Sequence, residues 1–191
     1  MKKVLLIIGV AFMAAIFCTS CKTSKQPQSI SQVEGSVEIK LPFSGKEYQS
    51  DSKHFRAMNQ GKSPDMATAK KIAMTNALSE IATRIQNTVK QVTDQYTSQR
   101  NVGDATSWEN KFQEKSRVVV RQVLQDVDVM DEKVFKETDG QYKYYIVLEM
   151  EKDQVIKKIS SAVSSDAELK VDFDDYMFTK IFNEEMEKFE K

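Results

Sequence analysis

The feature that most constrains this chain is the stretch from Pro64 to Gln99, which holds no glycine and, after Pro64, no proline. Without either helix breaker it is predicted as one helix, ~50 Å long at ~1.5 Å per residue. Ser63 suits its N-cap, Pro64 its first turn, and Asp65 the positive end of its dipole. Leu78, Ile81, Ile85, Val89, Val92 and Tyr96 recur at three- and four-residue spacing and make one apolar stripe. Ahead of that stripe the side chains are small. Ala67 is followed by Ala69, Ala73 and Ala77, the last three at successive i+4 positions. Such a ridge lets a helix axis approach a sheet closely. The C-terminal half then runs past the sheet and needs a second helix to cover it.

The flanking segments supply both partners. Val37, Ile39 and Leu41 alternate with polar residues in Gly35–Pro42, a strand pattern. Phe43–Ser52 reads as a loop, and His54–Gln60 as a second short strand ending at Gly61. Asn101–Ser107 is a turn, with Thr106 and Glu109 spaced as a capping box. The second helix spans Ser107–Gln125 and buries Trp108, Phe112, Val119 and Val123. The β-branched run Val118–Val120 makes a strand the competing reading there. Val127–Glu137 and Gln141–Glu151 are strands joined at Asp139-Gly140, a hairpin signal. Tyr144, Ile146, Leu148 and Met150 share one face of the latter strand and Tyr145 and Val147 the other, so that strand is central. Asp153–Val163 is a short helix. Ser165 and Glu168 form another capping box ahead of an amphipathic helix carrying Phe178, Ile181, Phe182, Met186 and Phe189. The expected fold class is α+β. An antiparallel sheet of about four strands packs against the long alanine-rich helix of a helical hairpin, with a C-terminal amphipathic helix added.

Charge narrows function. Lys and Arg number 28, Asp and Glu 28, so net charge is zero and binding of nucleic acid by bulk charge is disfavoured. One His and two Cys exclude most metal sites and any disulfide scaffold. The N-terminus is more specific. Lys2 and Lys3 precede an uncharged apolar run, Val4–Phe17, which falls short of the ~20 residues that a membrane span needs and suits a signal peptide. The run closes on Cys18-Thr19-Ser20-Cys21, which resembles the lipobox of bacterial lipoproteins, with Cys18 where that family usually has Leu. The resemblance implies lipidation of Cys21 and cleavage before it. Lys22–Val33 is a polar, proline-containing tether that reaches at most ~40 Å. The expected organisation is therefore 1–20 signal peptide, 21–33 lipidated Cys21 and tether, 34–163 α+β domain, and 164–191 C-terminal helix. The expected location is the outer membrane, lipid-anchored and facing the periplasm.

The order of features adds a family. A lipobox, the strand Phe55-Arg56-Ala57 followed by Gly61, the helix from Ala67 to Ala82, and the strand Tyr144–Leu148 leading into a helix resemble the bacterial twenty-kilodalton ("Lpp-twenty" type) lipoprotein family. The resemblance covers roughly Val37–Lys158. It implies a compact α+β domain with a helix laid across an antiparallel sheet, no enzyme activity and no established ligand.

The residues themselves offer little chemistry. A catalytic His54 would need a partner nucleophile, and no Cys is left in the mature interior, so it reads as a surface or hydrogen-bonded histidine. Arg56 suits an ion pair at a sheet edge better than an anionic ligand. Asp172, Asp174 and Asp175 lack the glycine and closing Glu of a calcium loop and read as helix N-terminal charge. Glu149 and Glu151 share a strand face that is exposed by default. Phe178, Phe182 and Phe189 cap the core or, alternatively, form a docking or self-association surface. No catalytic residue, metal site or cofactor is expected. The expectation is a membrane-anchored envelope lipoprotein that acts as a non-catalytic structural or assembly module. It would meet an envelope protein or a second copy through the C-terminal helix. The alternative is a periplasmic module binding a small apolar or glycan ligand between long helix and sheet.

Overall fold

The computed structural model describes residues 39–100 and 103–190. The signal segment, Cys21 and the tether lie outside the described residues. From Lys40 onward the chain forms one compact unit.

The long helix, α1, spans Met66–Gln99 and follows directly on strand β1, His54–Ser63. Its cap differs from the expected one. Ser63 is still paired in the sheet, opposite Tyr142, so the N-cap falls two residues later. Asp65 takes the role, accepting from the Thr68 amide at 2.7 Å and the Thr68 hydroxyl at 2.8 Å. The alanine ridge works as its spacing suggests: Ala69, Ala73 and Ala77 are fully buried over β1. Gly61 sets that distance. A Cβ built on it would lie 2.2 Å from the Ala69 carbonyl oxygen and 2.6 Å from the Ala73 nitrogen.

Beyond the sheet, Ile81, Ile85, Val89, Val92 and Tyr96 meet helix α2, Ala105–Val123, in one core with Trp108, Phe112, Val119, Val120 and Val123. The two helices are antiparallel, with Thr97 of α1 donating its hydroxyl to Glu109 near the start of α2. Glu109 is thus engaged across the hairpin and does not close the expected box with Thr106. Asp104 caps α2 by accepting from the Ser107 amide at 3.1 Å. The β-branched Val118–Val120 run is helical because Val119 and Val120 fall on the buried face, while Val118 faces solvent.

The sheet has three strands among the described residues, where about four were expected. β2 is Asp128–Lys136 and β3 is Tyr142–Glu151, and the antiparallel order is β1-β3-β2. Of the expected strand Gly35–Pro42, residues 35–38 lie outside the described residues. The described part, 39–42, makes no strand, and a turn begins at Pro42. The turn places Phe43 at φ +59, an unfavourable region for a residue with a Cβ. Its ring gains burial against Tyr145 and Val147 on the outer face of the sheet, with Tyr48 and Met58 beside it. β3 is central and buried on both faces, as its two-sided apolar pattern requires. The hairpin closes through the Gly140 amide and Glu137 carbonyl at 3.0 Å, with Gly140 at φ +82.

The C-terminal segment joins the same core. Helix α3, Lys152–Ser164, buries Val155, Ile156, Ile159 and Val163. A one-turn helix α4, Leu169–Asp172, leads to α5, Asp175–Met186. No Ser165–Glu168 box forms. Asp166 instead accepts from the amides of Glu168 and Leu169, and Lys115 with these amides holds its carboxyl well below the usual carboxylate range. Phe178, Ile181, Phe182 and Met186 are buried, so α5 spends its apolar stripe inside the molecule. Burying each such side chain contributes roughly 1.5–3 kcal/mol. Phe189 is 39% exposed at the end of this packing. Tyr96 ties the segment down: its hydroxyl donates to the Asp172 carbonyl and accepts from the Asp174 amide, both at 2.7 Å.

Candidate functional site

Cys21, the residue expected to carry lipid, lies outside the described residues. Three features within them collect the remaining chemistry.

The first is centred on Arg56, on the outer face of β1. Its side chain is only 10% exposed. Nη1 donates to Asp51 Oδ2 at 2.6 Å and to the Gln49 carbonyl at 2.9 Å, and Nε donates to Glu149 Oε2 at 2.5 Å. Nη2 sits 3.2 Å from His54 Nδ1, which is itself 3.2 Å from Asp51 Oδ1. The Arg56 amide donates to Ser50 Oγ at 2.9 Å. Burial raises the Asp51 carboxyl, but the amides of Lys53 and His54 and the guanidinium outweigh it and hold the pKa at about 2. The guanidinium's fork is therefore engaged by the loop over residues 49–51 and by the central strand. Arg56 latches that loop to the sheet as an ion pair, as its edge position suggests, and has no outward-facing fork for an anionic ligand. Glu149 belongs to this latch, which corrects its reading as part of an idle exposed face. Its neighbour Glu151 is exposed and accepts from Gln154 at 3.3 Å.

The second is a cleft of about 150 Å³ between α1 and α2. Val89 and Val120 line it, with Gln86, Gln113, Lys90 and Arg117 around them. Ser116 also lines it, and its buried hydroxyl has no hydrogen-bond partner among the described residues. Between long helix and sheet, where a groove is the alternative expectation, the two backbones approach closely at Gly61.

The third is β2. Eight of its nine residues are exposed, Asp131 alone being half-buried. The spacing of Val129, Met130, Val134 and Phe135 does not alternate and assigns this strand no buried face. The charged run Asp131-Glu132-Lys133 likewise puts polar residues on both faces.

The other candidates are structural. Asp174 is the N-cap of α5, accepting from the Met177 amide at 3.0 Å, and Asp175 lies in its first turn. Phe178 and Phe182 are in the core. Among the described residues there is no group of three or more His, Cys, Asp or Glu placed to hold a metal ion. No helix among them is long and apolar enough to cross a membrane. Comparison with protein-family models, with curated proteins and with solved structures finds no match to this chain.

Proposed function

We propose that this chain is a lipid-anchored envelope protein acting as a non-catalytic structural or assembly module, resembling the "Lpp-twenty" type lipoproteins. The carrying observation is Cys18-Thr19-Ser20-Cys21 placed directly after the apolar run Val4–Phe17. In this reading Cys21 becomes the acylated first residue of the mature chain. Each buried acyl CH₂ then contributes ~0.8 kcal/mol to anchoring. Lys22–Val33 holds the folded unit near the surface of the outer membrane, on the periplasmic side. The assembly role is supported by an Arg56 latch whose donors are spent internally and by an exposed strand, β2, on an otherwise well-packed body. Partner contact moves in this reading from α5, whose stripe is buried, to β2.

The test is metabolic labelling of cells producing the full chain. Radiolabelled palmitate is expected in the wild-type protein and absent from Cys21→Ala. An unlabelled wild-type protein recovered in the soluble fraction would refute the anchor.

A further inference from the structure

Among the described residues β2 is an edge of the sheet with no strand on its far side, and its side chains are exposed on both faces. Val129, Met130, Val134 and Phe135 are 45%, 39%, 44% and 46% exposed, four large apolar side chains on one strand. A free edge also directs a row of backbone N–H and C=O groups to solvent, a template for another strand. The side-chain order along β2 indicates which strand fits. Reading outward from Glu132, Asp131 answers Lys133 and Met130 answers Val134. Acid meets base and apolar meets apolar at these two steps. That is the requirement of an isologous two-fold contact, in which residue i meets j while j meets i. Beyond them the bulge puts Val129, opposite Leu148, on the helix face while Phe135, opposite Lys143, lies on the outer face.

We propose that β2 pairs antiparallel with β2 of a second copy of this chain, about a two-fold axis at Glu132, joining two three-stranded sheets into one of six strands. The faces agree across the central pairs. Asp131 and Lys133 stand opposite Val147 and Tyr145 of β3, so both lie on the outer face and meet each other across the axis. Glu132 and Val134 stand opposite Ile146 and Tyr144, on the helix face. The two Glu132 carboxylates meet at the axis, each already paired with Lys70 Nζ at 2.8 Å. The β-bulge between Val129 and Asp131 bounds the ladder, so the tightest contact runs from Met130 to Val134. An unrelated partner strand would need only the apolar positions. The mirrored charges select a second copy.

This deepens the assembly reading and rests on it for the meaning of a second copy at the membrane. Palmitate labelling and strand pairing are separate readouts, so either can fail alone. Two differently tagged full-length copies are produced together and captured from detergent extract through one tag. Wild type should recover wild type. Asp131→Lys with itself, or Lys133→Asp with itself, places like charges at both symmetry-related contacts and should recover about tenfold less. Asp131→Lys with Lys133→Asp restores opposite charges at both contacts and should return to the wild-type level. Equal recovery in all four combinations, or a mixed pair no better than the self-pairs, overturns the proposal. Asp131 also accepts from Tyr48 and Lys133 lies over the Phe43 ring, so an independent variant reads the same contact. Glu132→Cys should give a covalent dimer on mild oxidation, whereas Gln122→Cys on α2 should not. Equal dimer from both, or none from Glu132→Cys, overturns it as well.

Discussion

Replacing Gly61 by Ala sets two effects of opposite sign against each other. Alanine in a strand interior is favoured over glycine by about 0.5–1 kcal/mol, because glycine loses more backbone freedom on folding. Gly61 does not have a positive φ, so alanine meets no backbone strain there. Propensity alone therefore makes Gly61→Ala stabilising. Packing says otherwise. The added Cβ would sit 2.2 Å from the Ala69 carbonyl oxygen, 2.6 Å from the Ala73 nitrogen and 2.8 Å from Ile72 Cβ, where ordinary contact begins near 3.4 Å. The two nearest atoms belong to the backbone of a 34-residue helix, so no rotamer change relieves them. The helix must lift off β1 by about 1 Å, opening gaps along the Ala69, Ala73 and Ala77 ridge. Overpacking costs ~1–3 kcal/mol, and the rigid neighbours put this site at the upper end. The net loss is about 2 kcal/mol, or ~4–8 °C in Tm for a chain of this size. Thermal melting of the full chain followed by circular dichroism measures it. Gly103→Ala, where nothing lies within 4 Å of the added Cβ, is the control and should melt at or slightly above wild type. A Gly61→Ala protein that melts with or above wild type would refute the contact argument.

Two further outcomes follow from the same geometry. Tyr96→Phe keeps the ring stacked on Trp108 at 5.3 Å but strips the Asp172 carbonyl and Asp174 amide of their buried partner. It should cost ~1–3 kcal/mol by urea unfolding, and a loss below about 0.5 kcal/mol would show that the C-terminal segment does not depend on this hydroxyl. Asp51 has a folded pKa of about 2 against an ordinary 3.8. A depressed carboxylate lends stability that is complete above its unfolded value and lost as pH falls through the folded one. Between pH 4 and 2 the urea midpoint of wild type should therefore fall more steeply than that of Asp51→Asn, and parallel curves would rule out the Arg56 latch as an acid-sensitive element.

The positions of α1, α2 and β3 were legible because each rests on a local rule, whereas the C-terminal helix expected over 164–191 divides at Phe173–Asp174 into α4 and α5. Freedom from glycine and proline, three- and four-residue spacing, two-sided alternation and Asp139-Gly140 are properties of adjacent residues. The candidate ion pair at Arg56 was also visible, through a cation on an edge strand, although its acids Asp51 and Glu149 lie 5 and 93 residues away. The helix caps shifted for a reason no local spacing carries. Ser63 is held by pairing with Tyr142, and Glu109 by a hydroxyl from α1. Asp65 and Asp104 were left to accept the first free amides.

The sequence by itself determined which residues turn inward along each element, since side-chain period follows from backbone geometry. Only the tertiary structure decided where the layers stop. Among the described residues the helices cover β1 and β3 but not β2, so Val129, Met130, Val134 and Phe135 stay 39–46% exposed. Burial is a property of what lies opposite a face, and for β2 nothing in its own nine residues states that the second layer ends before reaching it.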